Sequence, residues 1–242
     1  MIRNKLHEYF CSKSTKVNEW YREKLSGLHL PIYASFDIRD SGFKVSNVDA
    51  NIFPAGFNNI CPTDKESAVD LFSHYFSTHY PEDVKQILLV TEEHTNNLHY
   101  WDNVFTIKSL IEAAGKKVMV ALPKRFDGFV TLKSAVGHEI QVCSGFMENP
   151  LVKDFAPDLI VSNNDFSEAH EEWAKGVTLP INPPRELGWY QRKKSRYFNH
   201  YNRLATEFAN MNGFDPFLLT VRTQVNEKFE LGDNDSISKL AS

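Results

Sequence analysis

The run QILLV, residues 86–90, decides the fold. A short continuous apolar stretch of this kind marks a strand buried on both faces, which is the habit of parallel sheets. Two further runs read the same way: KVMVAL at 117–122, ended by Pro123, and DLIVSN at 158–163. Helical patterns separate them. One is expected over about 65–79, with Thr63 or Asp64 as its cap and Glu66 completing a capping box with Thr63. A second spans about 103–114 and stops at Gly115, and a third spans about 167–174. Residues 128–143 are β-rich. This alternation predicts an α/β fold, a mainly parallel sheet flanked by helices in a Rossmann-like arrangement with right-handed crossovers.

Outward from that centre the patterns change. Residues 3–25 read as one helix, with Leu6, Phe10, Val17, Trp20, Tyr21 and Leu25 loosely on one side. IYASFDIR, 32–39, alternates apolar and polar residues as a strand does, and 43–49 is a hairpin partner across Asp40-Ser41-Gly42. DANIFPAGFNNICPTD, 49–64, is a long loop, yet Ile52, Phe53, Phe57 and Ile60 predict that it is ordered and folded over a site. Beyond Gly176 come three prolines, then Trp189 and a basic run, then an amphipathic helix over 196–211. FDPFLLTV, 214–221, suggests a turn into a strand, and the last twenty residues are polar and weakly patterned. The expected division is a substrate-side α/β domain over 1–176, followed over 177–242 by a linker and helical segment that begin a second domain.

A length of 242 residues suffices for a sizeable core without a disulfide or metal staple. The 42% hydrophobic and 13% aromatic content argues against disorder. A net charge of −4 argues against a general nucleic-acid binder, so no nucleic-acid partner is expected. No apolar run approaches the ~18–20 residues of a membrane span, and MIRNKLHEYFCSKSTK lacks the apolar stretch of a secretory signal. No membrane partner is therefore expected. Cys11, Cys61 and Cys143 are odd in number and widely spaced, which argues against a disulfide scaffold and a structural zinc site. Each reads as a small buried apolar residue in a cytoplasmic protein.

Ligands in open α/β sheets bind at the carboxyl ends of the strands. Glu93 and His94 follow the first buried strand, either as an acid/base pair or as turn and cap residues. Asn163, Asn164 and Asp165 follow the third, where they could equally serve turns. Asp37 and Arg39 point to one face of their strand, as a local ion pair or as recognition groups for an amino acid, with Asn51, Asn58 and Asn59 in the loop beyond. Arg192, Lys193, Lys194 and Arg196 are either a solvated face or, at a helix N-terminus and with Arg185 nearby, an anion site. No GxGxxG, GxxxxGK[ST] or GxSxG occurs, and no metal site stands out.

The stretch Asp37-Ile-Arg39-Asp-Ser-Gly42-Phe-Lys44, then Val48-Asp49-Ala-Asn51-Ile-Phe53-Pro54-Ala55-Gly56-Phe57-Asn58-Asn59, closely resembles the proteobacterial, ATP-grasp-like glutamate–cysteine ligases. Glu93-His94-Thr95 with Asn97 and Tyr100, Asn163-Asn164-Asp165 with Ser167, and Leu187-Gly188-Trp189 with Arg192 to Ser195 resemble further motifs of that family. The resemblance runs from about 30 to 225. It implies a pre-ATP-grasp-like fold and the first step of glutathione synthesis. ATP would phosphorylate the γ-carboxylate of L-glutamate, L-cysteine would attack the acyl phosphate, and Mg²⁺ would bridge the phosphates. Members of the family are considerably longer, so the chain is expected to match their N-terminal portion, with ATP and Mg²⁺ held mainly by the part beyond it. Chemistry then suggests roles. Arg39 and Arg185 would take substrate carboxylates. Asp37, Asn51, Asn58, Asn59 and Asn164 would lie on the glutamate side. Arg192, Lys193 and Arg196 would meet phosphate or the acyl phosphate, while Glu93 and His94 would orient or deprotonate the cysteine. The competing expectations are a non-catalytic amino-acid-binding module and an oligomerisation domain, whose aromatic helices at 3–25 and 196–211 would form a homo-oligomer interface.

Overall fold

A computed structural model describes residues 2–80, 84–93, 96–223, 232, 234, 235 and 238. His94 and most of the polar tail lie outside the described residues. In chain order the elements are helices α1 (Ile2–Ser12) and α2 (Ser14–Leu25), strands β1 (Ser35–Asp40) and β2 (Val45–Asn51), helix α3 (Lys65–His79), strand β3 (Gln86–Thr91), helix α4 (Leu98–Ala113), strands β4 (Lys117–Leu122), β5 (Phe129–Lys133) and β6 (Glu139–Ser144), helix α5 (Pro150–Phe155), strand β7 (Leu159–Asn163), helix α6 (Glu171–Lys175), strand β8 (Ile181–Asn182) and helix α7 (Lys194–Asn212). They form two compact units, both discontinuous in sequence. The first holds 1–26, 36–49 and 193–242; the second holds 27–35 and 50–192. Residues 176 and 177 lie inside the second.

The second unit is the α/β layer structure that the buried runs predict. Its strands are ordered β5-β6-β4-β3-β7-β8. The pairs β3–β4, β3–β7, β4–β6 and β7–β8 are parallel, and β5 closes one edge antiparallel to β6. Side chains alternate across this sheet. Ile87 and Leu89 join Val120, Leu122, Leu159 and Val161 under α3 and α4, where Phe72, Phe76, Trp101 and Ile107 complete one core. Leu88 and Val90 join Ala121, Cys143 and Ile160 on the opposite face, against Phe53, Phe166 and Trp173. β3 is central. The chain leaves it toward β4 and β6, then crosses back to β7 on its other side, so the strand order reverses between β3 and β7. Such a reversal opens a crevice at the carboxyl ends of the two strands.

Local chemistry explains where the elements differ from expectation. α3 spans the expected residues, but Thr63 does not cap it; its hydroxyl meets the Cys61 thiol at 3.1 Å, and a 3₁₀ turn over Pro62–Asp64 leads in instead. α4 starts at Leu98, five residues early, because the Asn97 side chain caps it by accepting from the Tyr100 N–H. The helix expected from 167 begins only at Glu171. Asn164 and Asp165 accept from the N–H groups of Phe166 and Ser167 and hold a turn there. Cys143 is buried, and burial pushes its thiol up to about 11. Cys11 and Cys61 are exposed, against expectation.

The first unit is helical around a two-stranded ribbon of β1 and β2. The ribbon turns at Ser41, whose N–H donates to the Lys44 carbonyl, with Gly42 at φ +85°. The expected single helix over 3–25 breaks at Lys13 into α1 and α2. Ile2, Leu6, Val17, Phe208 and Ala209 form its core, with Trp20 and Val45 packed alongside. β1 alternates apolar and polar residues, yet every residue in it is exposed, Phe36 and Ile38 by 60% and 66%. Residues 214–221 form a 3₁₀ turn over Pro216–Leu218 rather than a strand. No helix among the described residues is long and apolar enough to cross a membrane.

Candidate functional site

The carboxyl ends of β3 and β7 are framed by asparagines and tyrosines that bind backbone. Asn163, fully buried at the end of β7, donates to the Pro54 carbonyl at 2.8 Å and accepts from the Asn103 amide at 2.9 Å. Asn103 in turn accepts from the Phe57 N–H at 3.0 Å. This relay ties the 52–60 loop onto the strand end and α4. Phe53 anchors the loop, edge-on to Phe166. Two phenols complete the frame. Tyr33 donates to the Ser162 carbonyl at 2.5 Å and Tyr100 to the Asn163 carbonyl at 2.9 Å. Burial raises both phenols well above their ordinary value, so they remain donors.

Above the frame runs the 164–170 loop. Asn164 is buried and spends its amide on backbone, donating to the Thr91 carbonyl at 3.0 Å and accepting from the Phe166 N–H at 2.8 Å. Phe166 and His170 both take left-handed backbone conformations, at φ 48° and 42°. Such conformations in residues with a β-carbon are kept only where surrounding contacts enforce them, and they concentrate at functional sites. The enforcing segment is 185–190: the N–H groups of Trp189 and Tyr190 donate to the carbonyls of Asp165 and Phe166. Gly188 makes this approach possible, since a β-carbon there would stand 2.4 Å from that of Phe166.

Four charged or titratable side chains lie on this loop, beside it or on the neighbouring 185–192 segment. His170 Nδ1 lies 3.6 Å from Glu93 Oε1, longer than a direct hydrogen bond and an ion pair when the imidazole is protonated. Arg185 donates to the Ala169 carbonyl, one residue away, and its guanidinium lies 5.4 Å from the Tyr190 ring. Arg192 donates to the Ala50 carbonyl at 3.1 Å and stacks on Trp189 at 4.2 Å. A guanidinium has five donors in a planar fork suited to a carboxylate. A glutamate beside an imidazole can accept or return a proton.

Sequence reasoning pairs Glu93 with His94; in the structure the described partner of Glu93 is His170. The signal for His170 was faint: a histidine immediately before a short helix in the loop after a buried strand. Asn51 uses its side chain on the Phe53 N–H at 2.9 Å. Asn58 and Asn59 are exposed on a 3₁₀ turn over Phe57–Asn59. Glu93, Asn164, Arg185 and Arg192 thus belong to the second unit. Asp37, Arg39, Lys193 and Arg196 belong to the first, where all four are exposed and the neighbouring Lys194 pairs with Asp49 at 3.2 Å. Among the described residues no group of three or more His, Cys, Asp or Glu could hold a metal ion.

A family model described as glutamate-cysteine ligase matches residues 7–242. The fold is also similar to a solved structure from Methylobacillus flagellatus KT, described as "Putative gamma-glutamylcysteine synthetase", at 29% identity and a TM-score of 0.80. The match covers 89% of this chain and 51% of that one, so the chain spans about half the length of this relative. No curated protein matches the sequence.

Proposed function

The chain belongs to the glutamate-cysteine ligase family, and from that premise we propose that it carries the amino-acid side of ATP-dependent γ-glutamyl–cysteine ligation, the opening step of glutathione synthesis. The observation that carries this reading is the set of charged groups at the β3–β7 crevice, with Glu93 beside His170 and Arg185 tied to the same loop. The substrates are amino acids with carboxylate and ammonium groups, and the crevice has a chemical match for each. Arg185 binds the α-carboxylate of L-glutamate, where its fork gives a bidentate contact. Arg192, whose guanidinium lies 4.2 Å from the Trp189 ring, faces the charge that develops when ATP phosphorylates the γ-carboxylate. The amine of L-cysteine then attacks the acyl phosphate carbon, the C–N bond forms, the C–OP bond breaks and phosphate departs. Glu93 and His170 accept the proton that the amine must lose.

Asn164 and Asn51 act in this proposal as positioning residues, because their side chains already hold backbone. Asn58 and Asn59, exposed on the loop, are assigned to the glutamate ammonium. Mg²⁺ is expected for the phosphates, but the described residues offer no cluster that fits it, so no step here runs through a metal.

Melting in the presence of L-glutamate, D-glutamate, L-cysteine and ATP tests the assignment. A ligand at 100 times its dissociation constant stabilises by about 2.7 kcal/mol. L-glutamate is expected to raise the melting temperature and D-glutamate to leave it unchanged. Arg185→Ala is expected to abolish the L-glutamate response, because a charge-assisted bidentate contact contributes about 1.5–3 kcal/mol per bond. A response that persists in this variant removes Arg185 from the site.

A further inference from the structure

A recess of about 210 Å³ opens on the first unit and is lined by none of the residues assigned above to the crevice. Three cations line it: Arg39 of β1, Lys44 beyond the turn, and Arg222. Val48 and Val221 form an apolar wall. Among the described residues no carboxylate lines it. The nearby Asp40 carboxylate is engaged elsewhere, accepting from the Gly42 N–H at 2.8 Å and lying 3.9 Å from Arg3. Among the described residues, neither Arg39 nor Arg222 has an acidic partner. A larger recess of about 400 Å³ on α1 differs in kind, since Arg3, His7 and Glu8 mix both signs there.

The walls are held in place before any ligand arrives. The Ser41 hydroxyl and N–H both bind the Lys44 backbone, which sets the turn. Ser46 donates to the Thr220 carbonyl at 3.3 Å. Asn202 grips Val221 at both ends, accepting from its N–H at 2.8 Å and donating to its carbonyl at 2.7 Å. Tyr201 donates to the Leu219 carbonyl at 2.6 Å. These bonds hold the segment carrying Arg222 beside β2, so that Arg39, Lys44 and Arg222 line one recess, with the Lys44 ammonium 4.3 Å from the Phe217 ring. Their mutual repulsion costs free energy unless an anion offsets it.

We propose that this recess binds a phosphate group, free or carried on a small organic body, with the cations on the phosphate oxygens and the valine wall against any such body. The proposal stands on this geometry alone and does not require the ligase reading. Its source is either free phosphate or a nucleotide, which share the chemistry.

Isothermal titration of the full chain with inorganic phosphate, pyrophosphate, ATP, adenosine and L-glutamate at matched ionic strength tests it. The expected result is binding of at least one phosphate-bearing probe, weakened about tenfold or more for each guanidinium removed in Arg39→Ala and Arg222→Ala. Both side chains are exposed, so the fold should tolerate their loss. Binding of inorganic phosphate or pyrophosphate assigns the site to the bare group. Binding of ATP alone assigns it to a nucleotide. Arg185→Ala should leave phosphate binding unchanged. Binding that is unaltered in the double variant overturns the proposal, as does no response to any phosphate probe. An L-glutamate response lost in the double variant but kept in Arg185→Ala would make this a carboxylate site and also overturn it.

Discussion

Asn163→Leu is expected to lower the unfolding free energy by about 3 kcal/mol and to release the 52–60 loop. Leucine matches the branching of asparagine but is bulkier, so some overpacking adds to a cost that is chiefly polar. Asn163 is wholly buried and sits between the Pro54 carbonyl and the Asn103 amide, at 2.8 and 2.9 Å. Leucine can serve neither partner. A buried polar group left without its hydrogen bond costs about 1–3 kcal/mol, and two such groups are stranded here. Urea unfolding reads the loss as a lower midpoint at constant slope. Hydrogen exchange gives a second, local readout. The Phe57 N–H is held by Asn103 alone in this relay and should exchange much faster in the variant. A midpoint unchanged within error would mean that the relay does not hold the loop.

Gly188→Ala should be nearly as damaging, for a steric reason. At φ −68° the backbone of Gly188 suits any residue, so no dihedral strain enters. The added β-carbon would stand 2.4 Å from the Phe166 β-carbon, 3.0 Å from the Arg185 carbonyl and 3.1 Å from that of Phe166. None of these is the movable end of a side chain. The 185–190 segment must therefore withdraw from the 164–170 loop. Overpacking of this kind costs about 1–3 kcal/mol, and occasionally more. The loop would also lose the contacts that enforce left-handed Phe166 and His170. The L-glutamate response is expected to vanish at temperatures where the variant is still folded. A variant that melts lower but keeps that response would separate the clash from the site.

The parts of the fold that can be read from the chain are those with a single dominant force. β3, β4 and β7 are apolar at nearly every position because both faces are covered, and no other element has that pattern. The 52–60 loop is recognisable because four large apolar residues have no reason to sit in a mobile segment. What escapes is decided by neighbours distant in sequence. Whether the Asn163 or Asn164 side chain serves ligand or backbone depends on Pro54, Asn103 and Thr91, which are 60 to 109 residues away. His170 lies 77 residues beyond Glu93, so nothing in the local sequence links the two. The discontinuous units escape for the same reason. The ribbon of β1 and β2 belongs with α7, and no composition change at 26 or 49 announces it.

The central claim is that the β3–β7 crevice takes the amino-acid substrate. Titration of ¹⁵N-labelled protein with L-glutamate, followed by amide chemical shifts, tests it most directly. The account predicts saturable shifts concentrated in Glu93, residues 164–170 and residues 185–192, all lost in Arg185→Ala. Saturable shifts elsewhere with these residues silent, or none at any glutamate concentration, would contradict it.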